Sequence, residues 1–407
     1  MPQLEHKGDR GAMSEYQYYE FQALDRRLTA AEMADLRTLS SRVALTATSA
    51  IFVYNFGDFR GDPEAVLAQY FDALLYIANW GTRRLMFRLP QAIVRREALE
   101  PYCVADAITL ETHGSHLILD MQINKHEGEW IDTGEGRLTG LIPLRDAILA
   151  GDYRALYLAW LRACQLELDP GADAEEADEV EDGAAASADY DGAFLAASTP
   201  EPPVPPNLKH LDGVLQAFIE FFELDPHWVA VGAEASASLR GSDEPLAQWI
   251  GSLPEAECRR LLLRAAQGEP NIARVIRQEL RERFGAEAPR AEGGVRRTAG
   301  ELLALVQTRR RHAADEQRRQ EARARMLRLE ALAQREATAW EEVVASIEQR
   351  TTAGYVQAVS QLGELHELAE YRGEQATFQR RQTEIVEQFR RLSGFRSRLT
   401  AAGLLKV

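Results

Sequence analysis

Apolar positions along the chain change period several times, and each change marks a new element. Thr29-Ala-Ala-Glu32 has the spacing of a capping box and predicts a short helix to about Leu39. Val43 to Tyr54, rich in Val, Thr, Ile, Phe and Tyr, predicts a strand. After the loop Asn55–Asp62, Pro63 opens a helical turn. Val66, Leu67, Tyr70, Phe71, Leu74, Leu75 and Ile77 then recur at helical spacing as far as Gly81. Arg83–Leu89 predicts a second strand, stopped by Pro90. Alternating runs at Ala107–Glu111 and Leu117–Ile123, joined through Thr112–His116, predict a hairpin. Helices at Pro143–Leu149 and Tyr153–Leu166 close an α+β domain over residues 14–166.

The second half is helical throughout. Leu215, Phe218, Ile219 and Phe222 begin a set of short, turn-separated helices that predicts a small bundle over residues 207–286. From Glu301 to Arg350 there is neither proline nor glycine. Thr351-Thr352-Ala353-Gly354 reads as a turn, and a second apolar stripe runs from Tyr355 to Leu399. Two helices of about fifty residues, each roughly 75 Å long at 1.5 Å per residue, would bury their stripes as an antiparallel coiled-coil hairpin over residues 297–402. The expected fold is thus an α+β N-terminal domain followed by an all-α half ending in that hairpin.

Charge changes this picture at one place. The 407 residues carry a formal charge of −16, but Glu167 to Glu201 holds twelve acids and no Lys or Arg. After Pro206 there are 30 basic and 29 acidic residues. With Pro202-Pro203-Val204-Pro205-Pro206 at its end, residues 167–206 read as a disordered acidic linker. Tyr190–Leu195 is a short apolar island within it. Residues 1–13 read as a disordered leader, with Met13 a second candidate start. Three widely spaced cysteines offer no disulfide framework, and no apolar stretch reaches a membrane span. The expectation is a soluble, cytoplasmic protein without membrane contact.

Motifs of catalysis are missing: there is no phosphate loop, GxGxxG turn, GxSxG elbow or HExxH pair, and no cofactor is expected. His366-Glu367-Leu368-Ala369-Glu370 begins like a metalloprotease helix but puts Glu370 where the second histidine belongs. His113 and His116 flank the hairpin turn, with Glu111, Asp120 and His126 near in sequence, and form the candidate metal pair. Residues on opposite faces of a hairpin cannot converge, so solvated turn histidines are the competing reading. Asp58, Asp62, Arg83 and Arg84 lie at strand–helix junctions and form a candidate ligand site, though Asp62 before Pro63 is also a helix cap.

Arginine supplies the last candidate surface. Arg309, Arg310, Arg311, Arg318 and Arg319 in one predicted long helix, and Arg380, Arg381, Arg390 and Arg391 in the other, would meet on one half of a hairpin turning near 352. That makes a candidate nucleic-acid surface. Neighbouring Asp315, Glu316, Glu321, Glu384 and Glu387 allow pairing along each helix instead. The acidic linker, folding over these arginines, would compete with such a partner.

The segments YQYYEF (17–21 with Tyr16), NFGDFRGDP and NWGTRRLMFRLP resemble an uncharacterised family of bacterial proteins over about the first 170 residues. The resemblance implies neither an activity nor a functional residue. The leading expectation is a non-enzymatic interaction or scaffold subunit of a bacterial multi-protein system, using the coiled coil to recruit another protein or a second copy. The alternatives are a nucleic-acid-associated regulatory subunit and, third, an enzyme with its site near Asp58 and Arg83.

Overall fold

The structure, a computed structural model, describes residues 15–55, 57–124, 134–169, 195–238, 245–268, 272–284 and 296–405. The predicted leader, His126 and most of the acidic linker lie outside them. The chain divides into two compact units, residues 1–309 and 310–407.

The first unit is built on β1 (Gln17–Gln22), α1 (Ala30–Leu39), β2 (Ala44–Leu45), β3 (Ser49–Tyr54), α2 (Pro63–Tyr70), β4 (Ala73–Ala78), β5 (Thr82–Pro90), α3 (Arg96–Leu99), β6 (Ile108–His113), β7 (His116–Asn124), α4 (Arg137–Leu149) and α5 (Arg154–Leu168). The strands form one antiparallel sheet in the order β2-β3-β1-β4-β5-β7-β6. Thr29 caps α1 reciprocally with Glu32, as the spacing predicts. The hairpin forms with a two-residue turn, Gly114 taking φ 58°.

One predicted element is corrected here. Gln17–Gln22, for which no element is expected from the sequence, is the central strand β1, and the helix expected to run to Gly81 stops at Tyr70. Ala73–Ala78 is instead β4, buried on both faces between β1 and β5. A strand buried on both faces is a continuous apolar run, and its periodicity does not distinguish it from a buried helix.

Alternation gives the sheet two cores. Tyr18, Leu75, Ile77, Leu85 and Phe87 face α4 and α5, whereas Tyr19, Phe21, Leu74, Met86 and Ile118 pack with Leu36 of α1 and Val66 and Leu67 of α2. At the junction of these layers lies a buried charge network. Asp72 is fully buried, and its Oδ1 accepts from Arg88 Nη2 at 2.7 Å while Oδ2 accepts from the Leu24 and Asp25 amides at 2.7 and 3.0 Å. Arg145 of α4, itself buried, donates to Asp25 at 2.7 Å and to the Arg88 carbonyl at 2.9 Å.

Helices α6 (Gly213–Phe222), α7 (Pro226–Glu234), α8 (Leu246–Gly251), α9 (Glu255–Ala266), α10 (Ile272–Phe284) and α11 (Ala299–Gln334) follow. Phe218, Phe221, Phe222, Trp228 and Val231 of α6 and α7 share the sheet's larger core with α5, whose residues 155–165 are buried all round. The stretch expected to end the linker is also part of this fold. Leu195 is buried, Glu201 is held by Arg297 at 2.7 and 2.8 Å, and the Pro203 carbonyl accepts from Tyr102 Oη at 2.8 Å. Proline and acidic composition misleads here because one carboxylate is fully paired inside the core. The predicted head and the first helices of the predicted bundle are therefore packed on one core.

The second unit comprises the rest of α11 with α12 (Glu336–Glu348), α13 (Thr352–Arg372), α14 (Gln375–Gln388) and α15 (Ser393–Ala401). Its core holds Leu329, Leu332, Trp340, Val343, Ile347, Leu362, Leu365, Phe378, Ile385, Phe395 and Leu399. The turn near 352 joins an antiparallel pair, with Ser346 against Gln361 and Glu336 against Arg372. The expected pair of fifty-residue helices is corrected: Gly373, at φ 70°, caps α13, and α14 and α15 fold back on α13. No described helix is long and apolar enough to cross a membrane.

The network predicts a pH dependence. Burial alone would raise the Asp72 pKa, but Arg145 and Arg88 more than offset it and hold the carboxyl below its ordinary value. A lowered folded-state pKa gives stability that is present above the unfolded value of about 3.9 and is lost as pH falls through the folded one. In urea melts, Asp72→Asn should cost about 3–5 kcal/mol near neutral pH and flatten the acid limb of the stability curve. Arg26→Ala, which breaks the part-exposed pair with Glu32 (2.7 Å), should cost less than about 1 kcal/mol.

Candidate functional site

The α2 side of the sheet is apolar toward β3 and polar toward β6. Register explains why. Tyr19 pairs with Tyr76, Tyr76 with Arg84, Met86 with Asp120, and Ile118 with Glu111, so these side chains share one face. Gln17, also buried, accepts from both Tyr19 Oη (2.7 Å) and Tyr76 Oη (3.1 Å) and donates to Asp58 Oδ1 (3.2 Å). Burial pushes both phenols up from their ordinary pKa, so they act as neutral donors.

The four residues of the predicted ligand site separate accordingly. Asp58 and Arg84 come to this face, while Asp62 caps α2 by accepting from the Glu64 amide at 2.9 Å. Arg83, one residue from Arg84, points the opposite way, pairs with Glu223 and donates to the Phe221 carbonyl at 2.5 Å. Adjacent strand residues cannot share a face. Arg84 is clamped bidentately by Asp120, Nε to Oδ1 at 2.9 Å and Nη2 to Oδ2 at 2.6 Å. Open clefts of about 490 and 420 Å³ lie elsewhere, lined by Asp25, Arg145 and Arg274 in one and by Ser40, Arg42 and Arg60 in the other.

At the β6 edge of the polar face Glu64, Glu111 and His113 come together. Burial pushes Glu64 up from the usual carboxylate range and Glu111 adds to this, while His113 acts in the opposite direction. The other predicted member, His116, turns its Nδ1 to Ser115 Oγ at 3.2 Å. Glu64 was not legible as a member, because it lies 49 positions from His113 and reads locally as first-turn helix chemistry. The near-motif at His366 is an ordinary helical surface: Glu367 pairs with Arg325 and Arg328, and His366 stands edge-on to Phe378.

The arginine clusters are distributed rather than fused. Arg309, in the first unit, is 3.3 Å from Glu234. In the second unit Arg318 pairs with Asp315 (2.6 Å), Arg390 with Glu387 (3.0 Å), and Arg381 lies over the Trp340 ring (5.3 Å). Because α13 ends at Gly373 and α14 at Gln388, Arg380 and Arg381 lie on α14 while Arg390 and Arg391 follow it, rather than all four lying on one long helix. Residues 311–328 of α11 are nonetheless exposed on every face, about five helical turns. Among the described residues Arg311, Arg319, Arg323, Arg380 and Arg391 have no carboxylate within ion-pair distance, while Arg310 is not one of these.

No family model matches this chain, and no curated protein or solved structure matches it.

The polar face separates structural from accessory groups. Gln17→Leu leaves one buried and one half-buried phenol without their shared acceptor and should cost about 1–3 kcal/mol in a thermal or urea melt. Asp58→Ala, losing a single long hydrogen bond at a loop, should stay within about 0.5 kcal/mol of the parent.

Proposed function

We propose that this chain is a non-enzymatic interaction subunit of a bacterial multi-protein system, working in the cytoplasm, and that residues 310–407 recruit its partner or a second copy. The observation that supports this most is the exposed stretch 311–328 of α11. A helix exposed on every face has no core of its own and is held by its side-chain pairs or by what it bridges to. The same unit leaves Leu327, Val356 and Tyr371 exposed, each more than half. The coiled-coil form of the recruiting element belongs to this proposal in the shorter version that α12 and α13 allow.

A second reading keeps the same stretch but changes the partner. Arg311, Arg319 and Arg323, with no described carboxylate within ion-pair distance, are groups that could neutralise a phosphate backbone, although Asp315 also acts on Arg319. Aromatic groups for base stacking are sparse, since Phe378 and Phe395 are buried in the core.

Mass photometry and pull-downs with mass spectrometry, using the full chain and the chain ended at Arg309, compare these readings. The first expects loss of a specific partner or of self-association on truncation; an unchanged partner set and unchanged mass contradict it. Fluorescence anisotropy with the triple variant Arg311→Glu, Arg319→Glu, Arg323→Glu tests the second. Each lost phosphate contact should lower the salt slope by about 1. Absence of binding at low salt removes that reading.

A further inference from the structure

His113 Nε2 lies 3.0 Å from Glu64 Oε1 and 3.8 Å from Glu111 Oε2. One ligand atom from each side chain falls within 4.8 Å of the other two. Around zinc, with bonds of about 2.0–2.2 Å, tetrahedral donors stand about 3.3–3.6 Å apart. The two imidazole–carboxylate separations bracket that value, and the two carboxylates lie within 4.8 Å of one another.

Two pieces of chain far apart in sequence hold these groups. Glu64 sits in the first turn of α2, fixed by the Asp62 cap and Pro63. Glu111 and His113 are two apart on β6 and so share a face, next to the turn at Gly114. The local charge is unbalanced. Two carboxylates face one imidazole, and the nearby guanidinium, Arg84, is 3.9 Å from Glu64 and already paired with Asp120. A dication would balance two negative charges that otherwise repel.

The donors decide among cations. Calcium takes six to eight oxygens, and magnesium keeps most of its waters around oxygen ligands, so neither suits one imidazole with two carboxylates. Zinc takes nitrogen and carboxylate oxygen, and sites with three protein ligands leave a fourth position for water. We propose that Glu64, Glu111 and His113 form a zinc site with one position open to water. The proposal stands apart from the interaction reading, which concerns the other unit.

Zinc titration of the tag-free full chain against a chromophoric chelator, with cobalt(II) absorption as a second readout, tests it. The expected result is one zinc per chain, and affinity reduced at least about tenfold in His113→Ala and in Glu111→Gln. Both side chains are substantially exposed (38% and 63%), so the metal-free melting temperature of these variants should equal the parent's. His116→Ala should bind as the parent does, and His113→Ala should lose the cobalt d–d bands. Absence of saturable one-to-one binding overturns the site, as does undiminished affinity in His113→Ala or an equal loss in His116→Ala.

Discussion

The buried Asp72 carboxylate is the constraint around which the first unit is arranged. It sits where α2 ends and β4 begins, between one core shared with α4 and α5 and another shared with α1 and α2. Isolated, a charge at that depth would cost several kcal/mol. Its partners come from three segments: the Arg88 guanidinium of β5, Arg145 of α4, and the amides of Leu24 and Asp25 after β1. Each partner is satisfied only when its segment is in place. Apolar packing holds the two layers together, and this network ties the segments that meet at their junction.

The same logic of complete pairing governs the chain after α5. Glu201 is buried, accepts from Arg297 twice and is bonded to Tyr157, so residues 195–206 close over α5. Arg162, buried in α5, donates to the Phe222 carbonyl at 2.7 Å, and the Gln165 side chain accepts from the Asp225 amide at 3.0 Å. These contacts fasten α6 and α7 to the helix before the linker. Along residues 311–328 of α11 the ion pairs are exposed and none closes over a core, so this stretch is left facing solvent.

Legibility in the sequence followed the range of the interaction. The capping box at Thr29, the cap at Asp62, the β6–β7 hairpin and the turn before Thr352 are local, and each is visible from a few residues. β4 was hidden because burial on both faces removes alternation. The break at Gly373 was hidden within an apolar stripe that continues across it. Asp72, Glu201 and Arg145 read as unremarkable polar residues, since their partners lie 16 to 120 positions away. Of the candidate metal group His113 and Glu111 were visible together on the hairpin, but Glu64 required the fold. Arg83 and Arg84 looked like one site and belong to two faces.

Native-state hydrogen exchange on the full chain tests the central claim, that residues 195–234 and the sheet fold as one cooperative core. The account predicts that the most protected amides of β4, β5, α5 and α6 open with one shared free energy and respond equally to denaturant. Exchange of α6 and α7 by an independent opening, well below that of β4 and β5, would contradict it.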